Sequence, residues 1–453
     1  MITALIRRNI LAVLIGLIAA ETPALAQTAI DRYVKIGLEN NLVLQQRNQD
    51  YESAVSALRE SGSLFFPKVD LMGDYTTGDG GRNIGLPVGD LLNPVYNTLN
   101  QLTATNNFQQ IQNEEINFFP ANFYDLKLRT TVAFYNSDLI QNRKMKAGIA
   151  QMKASEITSY KNELIFQIKS AYFRYLSSLK VVNVYKNSIE LAEENKRVNE
   201  RLFANGKSLP AYVLKSESEL ASLQSLLAEA DRNSDNARMY FNFLINASPD
   251  ATIDTITAPA PETSYILDLL AAPADISKRA ELKQLKEASA IQENFLKMKK
   301  RYWHPRLNGF ADFGSQASNF EFNNDSRYYL VGVQLNIPVF SAGANRFRYK
   351  QADISLANRK LENTYITNQL QLAASQARNT LQAMYSKYNS ALKQLEAAAA
   401  YQHLISRGYR EGVNSFIESV DARNSYTNAA LAVSVSQFQL MTAIASYEKE
   451  LAQ

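Results

Sequence analysis

From Gly343 to Gly408 the chain runs for about 65 residues without an internal proline or glycine, and apolar residues recur at helical spacing: Leu381, Tyr385, Tyr388, Leu392, Leu395 and Ala399. A helix of that length extends roughly 100 Å at 1.5 Å per residue, far beyond what a globular core requires. The run opens after NIPVFSAG and ends at RGYREGVNSFIESVD. The spacing therefore predicts a rod that turns back on itself at Gly412.

The rod occurs twice. Tyr135, Asn136, Ser137 and Asp138 precede a first breaker-free run, as Phe340, Ser341, Ala342 and Gly343 precede the second. The first run ends at LFANGKSLPAYVLKS, and the interval from Asp138 to Gly206 matches, to one residue, that from Gly343 to Gly412. Equal spacing in two halves predicts a tandem structural repeat with internal pseudo-twofold symmetry. The first rod, Asp138 to about Ala204, offers Leu164, Ile168, Ala171, Tyr175 and Val182 as its buried stripe. After Gly206 a shorter helix returns with Leu220, Leu223, Leu227, Ala230, Ser234, Ala237, Phe241 and Leu244, near the 3.5-residue period of helices packed as coiled coils. The predicted boundaries are 1–26 for a signal peptide, 27–245 for the first repeat, 246–274 for a proline-rich linker and 275–453 for the second repeat.

Composition narrows the class. Arg7 and Arg8, an apolar stretch from Ile10 to Ala20, and Ala24-Leu25-Ala26 read as a secretory signal peptide cleaved before Gln27. Beyond it no 18-residue apolar run suggests a transmembrane helix, and the mean hydropathy is −0.26. With no cysteine there is no disulfide framework, no thiol metal site and no thiol to carry a lipid anchor after cleavage. The net charge of +4 is spread along the chain and gives no reason to expect nucleic acid.

Between the helical stretches the period changes from 3.6 to 2. In Lys68 to Tyr75, Val69, Leu71, Gly73 and Tyr75 alternate with Lys68, Asp70, Met72 and Asp74. In Tyr124 to Val132, Tyr124, Leu126, Leu128, Thr130 and Val132 alternate with Asp125, Lys127, Arg129 and Thr131. The second half repeats the pair, at Leu307 to Gly314 and from Tyr329 to Ile337. The segment from Thr76 to about Asn122 reads as a long exposed loop. Its GDGG string lacks the strand, helix or repetition of a phosphate or calcium loop.

Four amphipathic strands, each close to the 9 to 11 residues that span a bilayer, predict a transmembrane barrel with a wet interior. Four strands cannot close a barrel, and an open edge is excluded in lipid, so other copies of the chain must complete it: eight strands in a dimer, twelve in a trimer. A soluble antiparallel sheet with one solvated face shows the same alternation.

At these residues the sequence resembles the TolC-like outer-membrane efflux channels, over essentially the whole mature chain. The resemblance rests on ENN near Asn41, SLFFPKVD before the first strand, KRAELKQ and WHPRL in the second half, NIPVFSAG before the second rod, and the two glycine tips. It implies an α+β membrane protein: a homotrimer in the cell outer membrane with a twelve-stranded barrel and a coiled-coil tunnel in the periplasm. It also implies docking of the helix tips on a periplasmic adaptor that leads to an inner-membrane RND or ABC transporter. The duct would be passive, part of a tripartite efflux or type I secretion system, with no cofactor. The adaptor-contacting turns would be Gly206, Lys207, Ser208 and Leu209 with Gly412, Val413, Asn414 and Ser415. Glu418 and Asp421, three apart on one helix face, fall where relatives place an acidic constriction, and Tyr409 falls where an aromatic residue helps hold the entrance closed. Pro210 and Tyr212 depart from the usual first tip, which leaves the closing contacts open.

An enzyme is not expected, because the only histidines, His304 and His403, stand apart and the carboxylates are scattered. The alternative is a periplasmic coiled-coil scaffold or tether without a pore, which would leave the four matched strands unexplained. Cargo is not encoded in any motif.

Overall fold

The computed structural model describes residues 25–119, 121–255 and 261–452. The expected signal peptide lies almost entirely outside them. The chain folds as two compact units, one built from residues 55–147 and 290–356, the other from the segments up to residue 54, 148–289 and 357 onward.

In the first of these units the strands β1 (Lys68–Thr76), β4 (Phe123–Tyr135), β5 (Arg306–Ser318) and β6 (Arg327–Asn336) form one antiparallel sheet in that order. The register sets Leu71, Leu128, Phe313 and Tyr329 side by side, and next to them Val69, Thr130, Ala311 and Val331. That face is open: Tyr329 is 80% exposed, and Val69, Leu71, Leu128, Phe313, Val331, Val333 and Leu335 are all exposed. The opposite face carries Asp70, Arg129 and Asp312 in one row, with Lys127 and Tyr328 in the next. Here the charges are paired. Arg129 forks onto both oxygens of Asp312 at 2.7 and 2.6 Å, Lys127 donates to Asp125, and the Tyr328 hydroxyl donates to Asp125 at 2.7 Å. Met72, Phe310 and Leu330 interrupt this polar face.

Aromatic rings mark both ends of the sheet. At the β1–β4 loop end Phe320, in the left-handed region at φ 57°, stacks between Tyr75 (5.5 Å) and Tyr124 (5.8 Å). Those stacking contacts offset the strain of a bulky residue at positive φ. At the other end Phe66, Phe134, Tyr302 and Trp303 are exposed, and Tyr135 meets His304 Nδ1 at 2.9 Å.

The segment after β1 differs from the expected loop. It contains a two-stranded ribbon, β2 (Asn83–Leu86) with β3 (Glu114–Asn117), and the helix α3 (Val88–Thr103). The pattern is inverted, because the polar side of α3 faces the chain. Asn93 and Asn100, seven residues apart, each donate and accept, clamping the main chain of Ile111 (both 2.9 Å) and Phe108 (2.7 and 3.0 Å). Gly89 allows the approach, since a Cβ there would stand 2.4 Å from the Ile111 carbonyl oxygen. Asparagines spaced along a polar stretch resemble loop composition, which hides this helix from a periodicity search.

The longest helices each belong partly to both units. Helices α1 (Leu25–Asn40) and α2 (Leu42–Ser63) are broken at Asn41, whose side chain accepts from Leu44 N (3.0 Å) and donates to Leu244 O (3.1 Å). The rods are α4 (Ser137–Ala204) and α8 (Ala344–Arg410), and their return helices are α5 (Pro210–Leu244) and α9 (Phe416–Leu451). One core gathers Tyr33, Leu164, Ile168, Tyr172, Phe241 and Phe438. A second gathers Leu381, Leu440, Ile444 and Tyr447 around α6 (Thr263–Ala271), a helix inside the segment expected to be linker. The remaining helix, α7 (Ala280–Lys300), follows Arg279, which is buried against Glu450 and Glu281.

Two expectations are corrected. In α8 Ala391, 5% exposed, faces the core, while Leu392 is 41% exposed, because a straight helix drifts away from a strict stripe. A window of α9 reaches a mean hydropathy of 1.3, so one helix among the described residues is long and apolar enough to cross a membrane. Its apolarity comes largely from alanine and valine, and Phe438, Leu440 and Ile444 are buried among helices of the same unit.

Because α3 begins at Pro87 without a side-chain cap, its Asn clamps carry much of its order. Replacing Asn100 with Ala removes two hydrogen bonds worth about 1 kcal/mol each. Amide exchange across Val88–Thr103 should quicken accordingly while exchange in β4 and β5 stays unchanged.

Candidate functional site

Both rods end in the same way. Gly206 at φ 68° and Gly412 at φ 79° sit in the left-handed region, where glycine alone is free of strain. Lys207 N donates to Leu202 O at 2.8 Å and Val413 N to Gly408 O at 2.8 Å, so each glycine closes the helix end it follows. The second turn is tighter still, since a Cβ on Gly408 would strike the Asn414 side chain at 1.9 Å.

The restarts differ. At the first tip Leu209 is the N-cap without a side-chain bond, and Pro210 supplies the preset first position. At the second, Ser415 and Glu418 form a capping box: Ser415 N donates to Glu418 Oε2 at 2.7 Å, and Glu418 N donates to Ser415 Oγ at 3.3 Å. Donors from the Ser415 backbone and hydroxyl, then from Asn414, hold the Glu418 carboxyl below its usual range. Glu418 is thus exposed and turned onto its own helix start, while Asp421, also exposed, lies further along α9.

Between the hairpins lies a polar and aromatic connection. Tyr409 is 7% exposed and its hydroxyl donates to Asn199 Oδ1. Asn199 in turn donates to Ser216 Oγ at 2.6 Å, and Ser216 donates to Tyr212 O at 2.9 Å. Phe416 stacks on Tyr212 at 5.0 Å and meets Tyr409 at 6.2 Å. Burial, then the neighbouring Tyr212, pushes the Tyr409 hydroxyl upward in pKa, so it remains a donor at neutral pH. Farther along, Arg423 pairs with Glu219, and Ser188 meets Thr427 at 2.8 Å. Tyr409 therefore joins one helical hairpin to the other. Its repeat counterpart Phe203 is 47% exposed and lacks a hydroxyl.

The apex is apolar at its surface. Leu209, Leu214, Val413 and Ile417 are exposed, and so is Lys207; Ser208 and Asn414 are half-buried. The structure brings the sequence-predicted turn residues to two matching tips and leaves Glu418 and Asp421 on the exposed side of α9. Sequence reading missed Asn199, Ser216, Glu219 and Arg423, which lie one to four turns from the glycines, where nothing in the linear order marks them as partners.

Replacing Ser415 with Ala should cost the α9 start about 1 kcal/mol, the usual value of an N-cap. The Glu418 side of the box has a depressed pKa, so its contribution is complete above the unfolded carboxylate value and is lost as the pH falls through the folded one. Amide exchange at Ser415–Ser419, corrected for intrinsic rates, should show less protection in acid and in the variant.

Comparison with known proteins follows the same outline. Residues 285–446 match the family described as outer membrane efflux protein. No curated protein sequence matches. Among solved structures, the outer-membrane channel OprN superposes with a TM-score of 0.74 at 16% identity, over 94% of this chain and 90% of that one. The outer membrane protein VceC of Vibrio cholerae gives 0.75 at 13%, over 94% and 96%. The CmeC outer membrane channel of Campylobacter jejuni gives 0.72 at 15%, over 93% and 85%. Residues 285–446 thus carry the pattern of an outer membrane efflux protein, and the fold of nearly the whole chain is similar to that of outer-membrane channels of known structure.

Proposed function

We propose that this protein is the outer-membrane exit duct of a tripartite efflux or type I secretion system, a passive homotrimer that conducts cargo received from an inner-membrane pump. The observation that carries the reading is the inverted sheet: charged side chains are paired and partly buried on one face, while the large apolar residues stand exposed on the other. In water that arrangement leaves the apolar face unsatisfied; in lipid it is the normal arrangement of a barrel with a wet lumen. The strand β1 spans about 30 Å at 3.3 Å per residue, the thickness of the hydrocarbon core, and aromatic rings flank both ends. Among the described residues β1 and β6 each have an unpaired edge, which three copies would close into twelve strands.

The helical unit would then lie in the periplasm, with the glycine tips meeting an adaptor whose pump is of the RND or ABC type. Exposed Leu209 and Val413 on matching turns suit the apolar face of a partner's helical hairpin. Exposed Leu361, Tyr365, Leu372 and Leu404 along α8 would be covered by neighbouring protomers. Glu418 and Asp421 from three copies would form a ring of six carboxylates that favours cations.

The native mass of the detergent-extracted protein from outer membranes tests the central claim. A trimer in that fraction is expected; a soluble periplasmic monomer would overturn the duct and favour a coiled-coil scaffold. For the ring, Glu418→Gln with Asp421→Asn keeps a capping side chain while removing the charge. Its reversal potential in a salt gradient should move toward that of an unselective pore, and an unchanged value would remove these residues from the entrance. Leu209→Asp with Val413→Asp should leave the trimer intact and abolish cross-linking to a periplasmic adaptor produced in the same cells.

A further inference from the structure

Where α2 ends and α4 begins lies an open cleft of about 990 Å³. Leu58, Phe65, Phe66, Ile140 and Ala147 supply its apolar wall, and Arg59, Arg143 and Lys144 its charged rim. Those three cations make no ion pair among the described residues, whereas Lys153, Lys169 and Lys196 farther along α4 each meet a glutamate. Gly62 keeps the trough open, since a Cβ there would meet only Arg143 Nε, at 4.0 Å.

The cleft's depth follows from chain connectivity. Phe66 is two residues before β1 and Ile140 five residues after β4, at the end of the sheet where Phe134, Tyr302 and Trp303 are exposed. If the sheet spans the outer membrane, as proposed above, this is the level at which the periplasmic leaflet places its phosphates.

We propose that this cleft binds an anionic phospholipid of the periplasmic leaflet. The phosphate would lie between the guanidinium groups of Arg59 and Arg143 and the Lys144 ammonium, and an acyl chain would run along Leu58, Phe65, Phe66 and Ile140. Guanidinium groups match the paired oxygens of a phosphodiester, and a trough with an apolar wall and a cationic rim selects a molecule with both parts. A free phosphate would satisfy the rim alone. A neighbouring copy of the chain would cover the wall but leave three cations to be neutralised.

Native mass spectrometry of the intact, delipidated protein, with phosphatidylglycerol or phosphatidylcholine of the same acyl chains added back, tests this. Phosphatidylglycerol should be retained preferentially, and Arg59→Gln, Arg143→Gln and Lys144→Gln should each weaken that preference by roughly fivefold. Gly62→Leu, which suits a helix and enters open space, should expel the lipid while leaving the rim charge unchanged. Equal retention of both lipids, or retention of phosphatidylglycerol by the triple Gln variant, would overturn the proposal. Displacement of the lipid by millimolar inorganic phosphate would reduce the site to a simple anion site. Disulfide formation between copies carrying Ala147→Cys would show that a neighbour fills the trough. A protein absent from the outer-membrane fraction would defeat the duct itself, whereas an outer-membrane oligomer without lipid preference would defeat only this site.

Discussion

A four-stranded sheet with its charges paired on one face, and with two edges unpaired among the described residues, governs the rest of the molecule. Backbone groups at the edges of β1 and β6 have no strand partner among the described residues, and hydrocarbon offers none. The apolar face adds a second demand, because Leu71, Leu128, Phe313, Tyr329 and Val331 expose a continuous surface that water disfavours. Both demands are met when copies close the sheet within a membrane. The reading proposed above, copies closing the sheet within a membrane, rests on these two demands together.

The helical unit solves a different problem. Helices of 68 and 67 residues cannot be held by end contacts, so the chain distributes its core along them. One apolar cluster is centred on Tyr172 and Phe241 and another on Leu381 and Tyr447. Polar ties supplement these clusters. Tyr172 shows how they are made: its hydroxyl donates to Asp254 O at 2.9 Å, and burial pushes its pKa up to about 12. At the tips the cores thin out, and a chain of side-chain hydrogen bonds from Tyr409 through Asn199 to Ser216 takes their place. The joint between the two hairpins is therefore held by buried polar contacts, from Tyr409 to Asn199 and from Asn199 to Ser216.

The tip residues show how much of the site could be read in advance. Glycines followed by a restart of helical period disclose both turns, and the matched intervals disclose that they are equivalent. Glu418 illustrates the limit. Two acids three apart suggest one exposed face, and that face exists, but the serine three residues earlier draws the Glu418 carboxylate into a capping box. Tyr409 illustrates it further, since the same repeat position holds exposed Phe203 in one half and a buried donor in the other.

The rods, the strands and their two faces were legible in the sequence, because each is a local period read over many residues. The helices α3 and α6 were not, since their short lengths and asparagine or proline neighbours resemble loop. The strand order β1-β4-β5-β6, the Arg129–Asp312 pair across 183 positions, and the joining of Asn199 to Tyr409 across 210 emerged only in the folded chain. Periodicity records which way a side chain points, and it carries no record of what stands opposite. That depends on chain segments brought together only after folding.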